Sequence, residues 1–263
     1  MIDVAVHGAL GKMGRQVLST LCDAADMRPV GGIDAMAKTD RVSLPDGSGE
    51  IPLAPTTEKL LERVRPNVVV DFTNGDAAPP VFRACASAGV HIVSGSTGWR
   101  DEDLEEAGRL AEQGGVGALI APNFALGAVV LIHLAKIAGR FFDYAEVLEA
   151  HHEEKVDAPS GTARAIAEAV AQGGDKTFTR QMPTKEPVPG TRGGAEYGVS
   201  IHATRMPGRL AHHELLLGTA GQTLSLRHDS INRECFMPGV LRGIQYVVDH
   251  RGLVVGLENI LDL

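Results

Sequence analysis

The chain has 263 residues, 44% hydrophobic and 22% charged, the balance of a globular protein with room for one large α/β domain or two modest ones. A formal net charge of -8 and an aromatic content of 4% argue against a nucleic-acid partner and against a base-stacking platform. No apolar run reaches the ~18 residues that cross a bilayer, and no basic leader precedes the first predicted strand, so the expectation is a cytoplasmic protein without a membrane partner.

In chain order, residues 2–6 read as a strand and 11–24 as a helix, with a second strand at 27–33 ending at Asp34. Residues 35–55, around Pro45-Asp46-Gly47, are expected to be a surface excursion. The run 67–72 (NVVVDF) is almost continuously apolar, as in a strand covered on both faces. A helix at 77–88, a strand at 91–94, a helix at 102–113 and a strand at 116–121 complete the alternation of a Rossmann-type, doubly wound nucleotide-binding domain. Cys22, Cys85 and Cys235 are widely spaced, without a C-x-x-C pair, which speaks against a disulfide framework or a zinc site. Each is expected to be a small buried apolar residue, and no metal is expected.

The character changes after Asn123. A helix at 126–138 and a strand at 144–151 come first, then a helix from Ser160 that stops at Gly173-Gly174. Residues 181–194, rich in Pro, Gly and Thr, read as a long mobile loop. Three alternating segments, 198–205, 213–218 and 223–228, predict an antiparallel meander. A closing helix at 238–250 and a short apolar end at 253–255 are expected to return to the first domain. The fold class is therefore α/β, with a dinucleotide-binding domain over 1–122 and 231–263 and a mixed-sheet α+β domain over 123–230.

Gly8-Ala9-Leu10-Gly11-Lys12-Met13-Gly14 lies between the first strand and the first helix. Glycines there permit a tight turn and bring backbone N–H groups to a pyrophosphate at the helix start. The spacing G-x-x-G-x-x-G is a variant of the dinucleotide fingerprint, and its position in the first strand-turn-helix favours nucleotide binding over a plain turn. Asp34 closes the second strand, where an acid can hydrogen-bond the adenosine ribose hydroxyls. It repels a ribose phosphate and so favours NADH, whereas Lys12 and Lys38 soften that preference; the expected cofactor is NADH, NADPH or both. Gly95-Ser96-Thr97 and Ala121-Pro122-Asn123-Phe124 follow later strands, at the sheet edge where a doubly wound fold gathers its ligand.

The segment 146–163, EVLEAHHEEKVDAPSGTA, is the most informative. A strand leads into His151-His152, Lys155 follows, and Ser160-Gly161-Thr162 opens a helix. Ser160 is a good N-cap, and the N–H groups of Gly161 and Thr162 with the helix dipole make an anion site. An imidazole exchanges protons near neutral pH, and Lys155 can hold a carboxylate or deliver a proton. In an acidic chain this is the local positive patch that an anionic substrate requires. Successive strand residues point to opposite faces, so His151 and His152 are poorly placed to share a metal.

This segment resembles the signature of the dihydrodipicolinate reductases, also called 4-hydroxy-tetrahydrodipicolinate reductases, at Glu146, Glu149, His151, Lys155, Asp157, Pro159, Ser160, Gly161, Thr162 and Ala163. The resemblance extends to the GALGKMG loop, Asp71-Phe72-Thr73, the GSTG and APNF loops, and the late IHATRMPG and RHDSINRECFMPGV segments. It implies that His151 donates or accepts a proton, that Lys155 is a second proton donor, and that His152, Gly161 and Thr162 bind a small ring dicarboxylate. It also implies cofactor contacts from Gly8, Ala9, Leu10, Gly11, Lys12, Met13, Asp34, Gly95, Ser96, Thr97, Ala121, Pro122, Asn123 and Phe124. It further implies that substrate binding and assembly into a homotetramer fall to the 123–230 domain. Some members carry an arginine after the ribose-binding acid, suited to NADPH; here that residue is Ala35. Two rivals share the glycine loop: a reductase of another small compound and a non-catalytic nucleotide-binding regulator. Neither gives a reason for segment 146–163.

Overall fold

The computed structural model describes residues 1–174 and 177–263. The chain runs β1 (Ile2–His7), α1 (Lys12–Asp23), β2 (Met27–Ile33), β3 (Arg41–Ser43), β4 (Glu50–Ala54), α2 (Thr57–Leu61), β5 (Val68–Asp71), α3 (Ala78–Ser87), β6 (His91–Ser94), α4 (Asp101–Gly114), β7 (Gly117–Ile120), α5 (Leu126–Gly139), β8 (Tyr144–His151), α6 (Gly161–Gly173), β9 (Gly194–Glu196), β10 (Val199–Arg205), β11 (Ala211–Thr219), β12 (Gln222–Ser230), α7 (Met237–Asp249) and β13 (Gly252–Val255). Contacts divide it into two compact units, residues 1–124 with 236–262 and residues 125–235 with the final residue.

The first unit is built on an eight-stranded sheet in the order β13-β7-β6-β5-β1-β2-β4-β3, parallel except for the β3–β4 pair. Val4, Ala5 and Val6 of β1 and Val68, Val69 and Val70 of β5 are fully buried, as strands must be when helices cover both faces of a parallel sheet. β1 lies between β2 and β5, so the chain reverses its direction of travel across the sheet there. In doubly wound sheets such a reversal is where ligands bind, at the carboxyl ends of the strands. The stretch 35–55 is more regular than expected. It forms the β3–β4 hairpin, and β4 also adds to the parallel sheet beside β2. Ile51 and Leu53 are its buried, alternating residues, too short a period-two run to stand out beside the Pro-Asp-Gly turn. Of the cysteines only Cys85 is buried in the core; Cys22 and Cys235 are half-buried.

The second unit has a five-stranded sheet, β12-β11-β8-β10-β9. Ala145 and Val147 of β8 and Leu215 and Leu217 of β11 pack with Leu131 and Ala135 of α5 and Ile166 and Val170 of α6. The expected meander is corrected here. β10 pairs parallel with β8, and β11 pairs antiparallel with β8 and with β12. β8 therefore lies between two strands that follow each other in sequence, and the intervening turn passes the end of β8, where Met206 N–H donates to His151 O at 3.0 Å. Alternation shows that a segment is a strand, not which distant strand it adopts as neighbour. The loop 181–194 is also tied at its far end. Arg180 reaches the carbonyls of Arg192 and Gly193 at 3.3 and 3.1 Å, and Arg192 pairs with Glu146 on β8.

Candidate active site

In the first unit, Gly8 follows β1 with φ +77°, a left-handed turn that glycine tolerates. A Cβ on Gly14 would lie 2.1 Å from Gly8 O, so α1 seats on the loop only without one. Gly11 caps α1, and no side chain bonds into that cap, which leaves the first-turn N–H groups for an anion. The Asp34 carboxylate accepts from Leu10 N–H and Met36 N–H, each at 2.9 Å. It thereby binds the glycine loop to the turn after β2 and still has lone pairs for a diol. This arrangement fits a dinucleotide: pyrophosphate at the α1 start, ribose at Asp34.

The other predicted cofactor residues divide by exposure. Gly11, Lys12, Thr97 and Pro122 are exposed, and Gly8, Leu10, Met13, Gly95 and Asn123 are half-buried. Ala9, Ser96, Ala121 and Phe124 are buried, each with 2% exposure or less. Their side chains build the loops, so what they can offer a ligand is backbone. Gly95 shows why a small residue is needed: a Cβ there would fall 2.1 Å from the Phe72 ring, which packs edge-on against Phe124 at 5.6 Å.

In the second unit, Glu149 and His151 are two apart on β8 and point to its buried face. Glu149 is 2% exposed. Its carboxylate bonds His151 Nδ1, receives Arg205 Nη1 and Nη2 at 2.9 Å each, and receives Ser160 N–H at 3.2 Å. Although burial alone would raise its pKa, the bonds from His151 and Arg205 outweigh that and bring it down to about 2. A carboxylate ionised at all ordinary pH has no proton to give, so Nδ1 of His151 is the protonated nitrogen. In the neutral ring Nε2 is then the acceptor nitrogen.

Ser160 joins the Glu149–His151 pair to the start of α6. Its hydroxyl accepts from Ala163 N–H at 3.2 Å and lies 3.1 Å from His213 Nε2. Gly161 opens the helix with empty space where a Cβ would stand. Lys155 lies in the loop between β8 and α6 and donates to Asp157 at 2.7 Å, a bond that lowers the Asp157 pKa. Arg205 Nη2 also reaches the Asp157 carbonyl at 2.6 Å. His151, Ser160, Asp157 and Lys155 are thus joined by bonds that run through Glu149 and Arg205. His152 follows at the strand end, half-buried, its carbonyl accepting from Lys155 N–H at 3.2 Å.

Arg205 and His213 carry parts of this site that sequence reasoning did not assign. A buried acid on an apolar strand demands a cation, and Arg205 closes an alternating strand, which is a usable signal. His213 had none. It is paired in register with Glu149 across β11, its ring 5.2 Å from that of His151. Burial first, and then the neighbouring His151, push its pKa down to about 3, so it is a neutral imidazole. Among the described residues no group of three or more His, Cys, Asp or Glu is placed to hold a metal.

Together, the doubly wound sheet with its glycine loop and the carboxylate-locked imidazole beside a helix start define a two-unit nicotinamide-dependent reductase. Family models for the N-terminal and C-terminal parts of dihydrodipicolinate reductase match residues 2–124 and 127–261. The chain belongs to the dihydrodipicolinate reductase family. It is 45% identical over 262 residues to a 4-hydroxy-tetrahydrodipicolinate reductase of Dehalococcoides mccartyi, covering 100% of this chain and 99% of that one. It is 42% identical over 272 residues to the enzyme of the same name from Synechococcus elongatus, covering 99% and 98%. A solved dipicolinate-bound dihydrodipicolinate reductase from Paenisporosarcina sp. TG-14 superposes with TM-score 0.87 at 38% identity, covering 99% of this chain and 100% of that one. An amine dehydrogenase from Mycobacterium smegmatis, at 17% identity and TM-score 0.66, shares the fold.

Proposed function

We propose that this chain reduces 4-hydroxy-tetrahydrodipicolinate, by way of dihydrodipicolinate, to tetrahydrodipicolinate in the diaminopimelate route to lysine. The observation that carries this reading is the bond network that sets a tautomer-locked His151, through Glu149 and Ser160, beside the start of α6. A ring dicarboxylate needs both: an anion site to orient it and a proton site for the carbon or nitrogen that gains charge. The glycine loop and Asp34 would hold NADH or NADPH, which would supply the hydride for the ring's conjugated carbon. Gly161 and Thr162, with His152, hold a substrate carboxylate, which fixes the ring for attack. Lys155, held by Asp157, and His151 Nε2 manage the proton that neutralises the resulting enamine.

Gly8 to Met13 and Asp34 are assigned to the pyrophosphate and adenosine half, and the 95–97 and 121–124 loops to the nicotinamide half. Assembly as a cytoplasmic homotetramer through the β8–β12 sheet is part of the same reading. In support, Tyr144, Leu148 and Leu216 are exposed on the face of that sheet that alternates with its buried core residues.

The test is oxidation of NADH and NADPH with substrate generated in place from pyruvate and aspartate semialdehyde by a purified synthase. Synthase-dependent oxidation is expected, and the ratio of the two rates gives cofactor preference. Absence of oxidation with either cofactor would refute the assignment.

A further inference from the structure

A second buried carboxylate, which the catalytic reading does not use, stands at the reversal point of the large sheet. His7, Asp71 and Ser94 end β1, β5 and β6 and are in register across the three neighbouring strands. They form a polar row capping apolar strands whose preceding residues, Val6, Val70 and Val93, have no exposure. Asp71 is 1% exposed. Such a group cannot stay ionised there without partners.

Its partners come from the ends of β1 and β6 and from the loops after β5 and β6. Oδ1 lies 2.7 Å from His7 Nδ1 and accepts from Thr73 Oγ1 at 2.7 Å. Oδ2 accepts from Ser94 Oγ at 2.7 Å and from Ser96 Oγ at 2.6 Å. Ser96 Oγ in turn accepts from Thr73 N–H at 2.9 Å. One carboxylate thus fastens the residue before Gly8, the turn after β5 and the Gly95–Thr97 loop.

We infer that His7 and Asp71 are positioning residues for the dinucleotide: Asp71 holds the glycine loop in register with the 95–97 loop, and the Nδ1–H of His7 is the link on the glycine-loop side. The inference rests on the cofactor reading above. Neither side chain needs to touch the ligand, because both act through the backbone they fix. Only a donor at the place of Nδ1 can complete the link, so the chemistry of residue 7, and not its bulk, sets cofactor affinity.

The test is NADH binding to the full-length protein, followed by fluorescence, with circular dichroism and melting of the free protein to verify folding. Asparagine can place an amide N–H near the position of Nδ1, whereas alanine cannot. His7→Ala is expected to weaken NADH binding roughly tenfold, the order of losing one hydrogen bond to a charged group, and His7→Asn to remain within about twofold of wild type by restoring that bond. Unchanged binding in a folded His7→Ala would overturn the inference, as would equal losses in the two variants. Failure of the wild type to bind NADH or NADPH would remove the cofactor reading itself, and this inference with it.

Discussion

Each unit buries one carboxylate against the Nδ1 of a histidine, Asp71 with His7 and Glu149 with His151, and the two are solved differently. Around Asp71 the other donors are hydroxyls of Thr73, Ser94 and Ser96. Around Glu149 they are a two-pronged guanidinium and a backbone N–H. Burial works against ionisation in both, and in both the hydrogen bonds prevail and lower the pKa, that of Glu149 to about 2. Hydroxyls tether loops to a fixed centre, which suits a seat that must keep its shape. A guanidinium brings full compensating charge, which keeps the Glu149 carboxylate ionised beside His151 Nδ1. On the proposed function and the inference that rests on it, the same buried pair serves geometry in one unit and proton chemistry in the other.

The contrast is broken most severely at Arg205. Arg205→Met strands the Glu149 carboxylate, and a loss of about 3–5 kcal/mol is expected for one partner removed from a buried pair, read as a drop in urea midpoint. Lys155→Ala should lower kcat by roughly 10²–10³-fold, within the range for a proton donor, with NADH affinity unchanged. His151→Gln should cost less, about 10–100-fold in kcat, because water can enter and carry the proton. Steady-state rates with titrated NADH separate these two effects.

A pH series sharpens the comparison further. His213 has its pKa lowered to about 3, so the unfolded chain, with an ordinary His pKa near 6.5, binds the extra proton first. Its contribution is complete above pH 6.5 and fades as pH falls toward 3. The Glu149 contribution is complete above its ordinary value of 4.5 and fades toward 2. Denaturant midpoints should therefore fall from pH 6.5 downward, and His213→Asn should flatten the portion above about pH 4.5, where Glu149 is still silent. The smallest effect is expected at Ala35, exposed just past Asp34: Ala35→Arg should improve kcat/KM for NADPH by about tenfold, the worth of one charge-assisted contact.

Much of this molecule is readable from residues alone, because local rules act locally. The glycine loop, the Ser160 cap and the apolar runs of β1 and β5 follow from turn geometry, capping and periodicity. What escaped depends on register. β8 stands between β10 and β11, and that placement sets His213 opposite Glu149 and Arg205 beside His151. No spacing between residues 149, 205 and 213 encodes it. Ser96 was legible as a loop residue but not as a donor to Asp71, since that role exists only once β5 and β6 are in register.

The most direct test of the division of labour is a matched pair, Asp71→Asn and Glu149→Gln, each shown to be folded and each measured for NADH dissociation constant and for kcat at saturating cofactor. Asp71→Asn is expected to weaken NADH binding with the smaller change in kcat, and Glu149→Gln to depress kcat while NADH binding holds. If both variants move the same constant, or each moves the other's, the two carboxylates do not have the separate roles described.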